Sequence, residues 1–155
     1  MFHALVLNKK DDHKATGKVE EMNISDLPEG DVLIKIHYST LNYKDSLALT
    51  SSSPIVKSFP MVPGIDFSGK VVESEDERFK KEENIICTGF RVGEAYYGGF
   101  SQYAKVDSNF LIKNPKNIDS KKSMMLGTAG FTALQCSFAI KAREEILLGE
   151  KVKDV

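Results

Sequence analysis

The chain of 155 residues has no tryptophan, two cysteines and five prolines. Cys87 and Cys136 stand at no paired or ligand-type spacing, so the expectation is two buried thiols in a reducing compartment rather than a disulfide framework. His3, His13 and His37 are scattered, and neither cysteine sits near a histidine, which argues against a zinc site. Charge of one sign is missing too: 21 basic residues face 22 acidic ones. The densest charged stretch, residues 73–83, mixes both signs and reads as a solvated loop or turn. That balance excludes a nucleic-acid stripe or a membrane-binding face. The N-terminus lacks the pattern of a signal peptide. The most apolar window, residues 124–140, is short for a bilayer and interrupted by Gly127, Thr128, Gly130, Thr132, Gln135 and Ser137, so a buried helix in a soluble, cytoplasmic protein is expected. No glycine-rich phosphate turn, Walker pattern, internal repeat or low-complexity linker occurs. Ser68 is not framed as a nucleophile elbow, and Cys87 lies in an apolar strand where a thiol packs as a small hydrophobe.

What is present reads as β-rich and long enough for one domain with a real core. Short strands are expected at residues 2–7, 18–24, 31–41, 65–73, 84–89, 99–106 and 110–113. In the third of these, Val32, Ile34, Ile36 and Tyr38 alternate with Leu33, Lys35 and His37, the period of a half-buried strand. A short helix fits residues 43–50. After the turn Asn114-Pro-Lys-Asn-Ile-Asp119, Asp119 or Ser120 is a plausible cap for a helix that Gly149 would stop, leaving a polar tail. Many short strands with Gly/Pro turns suggest a small distorted barrel carrying one or two helices.

Two segments draw the chemistry. Phe59-Pro-Met-Val-Pro-Gly-Ile-Asp-Phe-Ser-Gly69 interrupts an apolar run with two prolines and two glycines, so the backbone turns sharply and lies close to something. Asn42-Tyr-Lys-Asp45 gathers an amide, a phenol, an ammonium and a carboxylate at a strand end, a set able to orient a polar ligand. The alternative is a capped turn in which Asn42 or Asp45 caps the helix and Tyr43 and Lys44 face water. Gly127-Thr-Ala-Gly130 reads equally as a stripe of small residues for close packing.

Together these segments, with Ser74-Glu-Asp-Glu-Arg-Phe79, Gly93-Glu, Gly98-Gly-Phe-Ser101 and Gly127-Thr-Ala-Gly-Phe-Thr-Ala133, resemble the N-terminal catalytic domain of the medium-chain dehydrogenase/reductase superfamily. The similar branch is the zinc-free, NADPH-dependent acrylyl-CoA reductases and quinone oxidoreductases, matched from about residue 2 to 140. Asn42 stands where zinc alcohol dehydrogenases carry a cysteine ligand, and Ile65-Asp66 where they carry a His-Glu pair. The resemblance implies a mainly β, α+β fold: a GroES-like, partly open β-barrel over residues 1–120, then a helical segment and tail at 121–155 that would connect to a Rossmann domain. It implies hydride transfer from NADPH to an enoyl-CoA or a quinone, with Tyr43, Asn42 and Thr128 on the cofactor side, Lys44 and Asp45 as supports, and Tyr43 the one candidate proton donor. The loss of both ligand positions agrees with the absence of metal spacing, the charge pattern leaves no nucleic-acid or membrane partner expected, and a homodimer is left open. After Ile140 the sequence departs from the family, so an incomplete chain, inactive alone, is expected. The rival reading is a non-catalytic GroES-like interaction module.

Overall fold

The computed structural model describes residues 1–11 and 14–148. Gly149, the tail behind it and His13 lie outside the described residues. In chain order the elements are β1 (Phe2–Asp11), β2 (Lys14–Met22), β3 (Val32–Ser39), α1 (Tyr43–Thr50), β4 (Asp66–Ser74), β5 (Asn84–Thr88), β6 (Tyr103–Val106), β7 (Leu111–Lys113) and α2 (Ser120–Leu148). β1 and β2 form an antiparallel ribbon, and the other strands an antiparallel sheet in the order β6-β3-β4-β5-β7. Neither sheet closes on itself. β1 ties the two together: the Leu5 N–H donates to the Phe100 carbonyl at 2.8 Å, and Leu7 and Met61 exchange N–H···O bonds of 2.7 and 3.0 Å. The result is the partly open barrel that the resemblance implies.

The core lies where β3, β4 and β5 turn one face inward. Val32, Ile34, Phe67, Val71, Ile85 and Cys87 have no exposed surface. Complete burial of a side chain such as Phe67 contributes roughly 2–3 kcal/mol. The simple alternation expected in β3 fails at both ends. Leu33 is buried as well, and Tyr38 is 45% exposed. The cause is visible in the pairing: the β3–β4 register shifts between Leu33 and Ile34 and again between Ile36 and Tyr38, which moves later side chains to the other face. Within the charged stretch 73–83, Phe79 is an exception to solvation, because it is buried in the same core.

The proline- and glycine-rich turn before β4 is zipped onto a second glycine segment. Gly98 N–H donates to Val62 O at 2.6 Å, Gly99 N–H to Gly64 O at 2.8 Å and Phe100 N–H to Pro63 O at 2.9 Å. Gly64 sits at φ +103°, and a Cβ there would stand 2.7 Å from the Phe100 nitrogen. Only glycine satisfies both the left-handed backbone and the close approach.

α2 begins as the sequence indicates. Asp119 caps it, its carboxylate accepting the Lys122 N–H at 2.7 Å. Its first turns pack on the sheet, with Ser120, Ser123 and Met124 buried. Beyond them the expectation of a buried helix is wrong. Phe131 is 56% exposed and Phe138 66% exposed, and Met125, Leu126, Leu134 and Ile140 are also exposed. An apolar pattern demands a partner but does not say whether the same chain supplies it; here the described residues leave that face uncovered. By length and composition Ser120–Arg143 is also long and apolar enough to cross a membrane, longer than the window judged from sequence, although its first turns are committed to the sheet.

Two substitutions separate these environments. Gly64→Ala should lower stability by at least about 2 kcal/mol, since strain and overpacking act together. Phe138→Ser should change it by less than about 0.5 kcal/mol. Urea unfolding of the purified variants measures both, and a large loss at Phe138 would mean that the face is covered.

Candidate functional site

The start of α1 shows how a short polar sequence builds a rigid corner. The Asn42 carbonyl accepts the Asp45 and Ser46 N–H groups at 3.0 and 3.4 Å, and Asp45 reaches back to accept the Asn42 N–H at 2.8 Å. Asp45 thus supplies the carboxylate half of an N-terminal capping box, and the Asn42 main chain the returning bonds. The other Asp45 oxygen accepts the N–H groups of Gly64 and Ile65 at 3.1 and 3.0 Å, so the helix start is bolted to the zipped turn. Asp45 has no exposed surface. Burial raises its pKa above the ordinary value, and the Asp66 charge adds to the rise; the N–H groups of Asn42, Ile65 and Gly64 oppose it.

Asp66, the first residue of β4, is likewise fully buried. Three donors converge on it. Asn42 Nδ2 donates to Oδ2 at 3.0 Å, the Thr128 N–H to the same oxygen at 2.8 Å, and the Thr128 hydroxyl to Oδ1 at 2.5 Å. The Thr128 N–H is free to do this because α2 breaks at Gly127, which adopts φ +51°, ψ −160°. A Cβ on Gly127 would lie 2.7 Å from Asp66 Oδ2. Asp66 therefore caps a second helical run, where a carboxylate is favoured by the free N–H groups and the helix dipole.

Of the residues singled out from sequence, the structure brings Asn42, Asp45 and Thr128 together through these bonds. Tyr43 stands beside them but outside the network, with its side chain largely in solvent at 78% exposure. Lys44 pairs with the largely buried Glu94 at 2.7 Å. Thus the capped turn and the polar cluster are both realised: Asn42 caps with its backbone and points its side chain at Asp66. Sequence reasoning missed Asp66 and Gly127 as site residues. The available signal was a carboxylate set directly against Phe67 in an otherwise apolar run, where an unpaired charge would be costly.

The remaining candidates resolve structurally. The Ser68 hydroxyl is buried and donates to the Ser120 carbonyl at 2.8 Å, tying β4 to α2. Cys87 is buried and burial pushes its thiol pKa up, whereas Cys136, expected to be buried, is exposed on the outer run of α2. Arg78 of the charged stretch clamps Asp76 at 2.6 Å and reaches Ser108 and Asn109, a brace between loops. Among the described residues no three His, Cys, Asp or Glu side chains converge to hold a metal ion.

Comparison with known proteins matches residues 28–116 to the alcohol dehydrogenase GroES-like domain. The acrylyl-CoA reductase AcuI of Ruegeria pomeroyi is 43% identical over 142 residues, covering 91% of this chain and 43% of that protein. YhfP of Bacillus subtilis, whose name marks it as a candidate quinone oxidoreductase, is 41% identical over 133 residues, covering 86% of this chain and 40% of its own length. The crystal structure of the yhdH oxidoreductase of Salmonella enterica in complex with NADP superposes with a TM-score of 0.85 at 44% identity, covering 88% of this chain and 42% of that one. The chain thus spans about two fifths of the length of the curated relatives it matches.

The buried Asp45 yields a pH test. A carboxyl whose pKa is raised by folding adds stability below its ordinary value of 3.8 and loses that contribution as pH rises through the raised folded value. The destabilisation caused by Asp45→Asn should therefore shrink as pH increases from 3.5 to 7, as read from urea midpoints at both ends. A gap that widens with pH would contradict this assignment.

Proposed function

The chain belongs to the alcohol dehydrogenase GroES-like domain family of the medium-chain dehydrogenase/reductase superfamily, and from that membership we propose that it forms the substrate-side domain of an NADPH-dependent, zinc-independent reductase of enoyl-CoA thioesters such as acrylyl-CoA. The observation that carries the reading is the Asn42–Asp66–Thr128 cluster. In it the half-buried Asn42 and Thr128 meet on the buried Asp66, and their near neighbours in the chain, Leu41, Tyr43 and Leu126, are exposed apolar side chains. A nicotinamide ring has the same character, apolar faces with one polar edge, so the residues present fit such a cofactor. The branch in which relatives are named for acrylyl-CoA or quinone chemistry, and for complexes with NADP, supports the same direction. A quinone is the alternative substrate class.

When bound, the cofactor would supply the hydride. This chain's residues would hold and orient: Tyr43 offers an exposed aromatic face and a phenolic oxygen, and Asn42 and Thr128 form the fixed wall. Tyr43 Oη is also the group proposed to hand over a proton. Asp45 and the Lys44–Glu94 pair keep that wall from moving. The division near residue 120 belongs to the same proposal, with α2 as the connecting element. No glycine-rich phosphate turn occurs in the sequence, so affinity would rest on the nicotinamide end, and turnover by the 155-residue chain alone is not expected. Free thiols, one of them exposed, suit a cytoplasmic location.

The uncovered apolar face of α2 favours a second reading, a non-catalytic GroES-like module that binds a partner there. Titrating NADPH into the purified chain separates the two. Saturable binding that Tyr43→Ala weakens roughly three- to tenfold, while Tyr43→Phe preserves it, is the expected result for the cofactor reading. A stable oligomer with no NADPH binding would favour the module.

A further inference from the structure

Independently of any cofactor, we propose that the open edge of β2 docks a second copy of this chain, the two β2 strands pairing antiparallel about a two-fold axis at Val19. The direction of each main-chain group follows from the bonds of β1. The His3 carbonyl accepts the Gln102 N–H, the Leu5 N–H donates to Phe100, and Leu7 exchanges bonds with Met61, so all three residues face away from β2. Opposite them in the ribbon stand Glu21, Val19 and Gly17. In an antiparallel ladder opposite residues either bond each other or both turn outward. Gly17, Val19 and Glu21 therefore turn their N–H and C=O groups to the outer edge. The flanking outward positions are closed: the Ala15 N–H donates to Ser51 Oγ and the Asn23 N–H to Asp26 Oδ2, both at 2.7 Å. Between them, among the described residues, no strand other than β1 pairs with β2.

An open edge is a template for any extended chain, and the side chains choose among partners. With the axis at Val19, that residue meets its own copy and Gly17 meets the second copy's Glu21, each facing pair exchanging two N–H···O bonds. Lys18 then lies opposite the second copy's Glu20, at a non-hydrogen-bonded position where side chains come closest, and the symmetry makes this pair twice. Moving the axis by one residue sets Lys18 against Lys18 or Glu20 against Glu20, which like charge disfavours. Charge thus selects both the register and the partner. The groups are available. Lys18 is exposed, Val19 is 69% exposed, and Glu20 accepts Asn8 Nδ2 on one oxygen at 3.0 Å and keeps the other.

Sedimentation equilibrium of the purified chain should show a reversible monomer–dimer equilibrium. Val19→Pro removes the central outward N–H and leaves the bonds to β1 in place, so it should abolish the dimer with the circular dichroism unchanged. Lys18→Glu sets like charges together twice and should raise the dissociation constant at least about tenfold. Adding Glu20→Lys to it restores opposite charges and should bring the constant back to within about threefold of the wild-type value. This charge exchange also guards against a Val19 variant that fails to fold. Amide hydrogen exchange at Gly17, Val19 and Glu21 should slow as protein concentration rises. A chain that stays monomeric up to about 0.5 mM would overturn the inference. So would a dimer that survives Val19→Pro, or a double charge variant no tighter than Lys18→Glu alone. A dimer lost in Phe138→Ser but kept in Lys18→Glu would move the contact to α2 and overturn it as well.

Discussion

One buried carboxylate holds three distant parts of this chain in register. Asp66 begins the central strand β4, receives the side chain of Asn42 from the start of α1, and receives both donors of Thr128 from the break in α2. A charge with no exposed surface would cost several kcal/mol if left alone. Here the compensation comes from fixed donors and from the N-terminal end of a helical run, so strand, short helix and long helix must arrive together or the charge is stranded. Gly127 is the local concession that makes this geometry reachable, because any side chain there would overlap the Asp66 oxygen.

Asp45 repeats the device one layer away. Its carboxylate closes the start of α1 and grips Gly64 and Ile65, whose turn is itself zipped to residues 98–100. The two carboxylates act on each other, which is part of why Asp45 resists ionisation. The consequence is a wall made almost wholly of main chain and short side chains, with the exposed aromatic group, Tyr43, outside it. The proposed positioning role suits that arrangement, in which the buried groups are multiply bonded and the aromatic group is exposed. The apolar outer run of α2 lies on the exposed side of the same division, contiguous with the wall through Leu126 and Gly127.

Much of this was legible in the residues. The order of strands, the limits of α1 and the cap at Asp119 follow from local signals: period-two apolar patterns, turn residues and side chains that can satisfy free N–H groups. The errors have a common origin. Tyr38 left its predicted face because bulges in the β3–β4 pairing depend on both strands. Residues 131–140 and Cys136 were expected inside because an apolar helix looks the same whether its partner is near or absent. Asp66 was read only as the replacement of a metal-ligand position, since its partners lie far away in sequence.

By itself, then, the amino-acid sequence determined the β-rich character, the turns that require glycine and proline, the polar quartet at residues 42–45 and the family. These depend on short-range sterics and on motifs in fixed order. Tertiary structure alone decided which polar groups meet. It joined Asn42 to Thr128 through Asp66, assigned every donor on Thr128 to that carboxylate, and left Tyr43 and the outer face of α2 in solvent. Hydrogen-bond partners and burial are properties of distances between residues remote in the chain, and no local pattern encodes those distances.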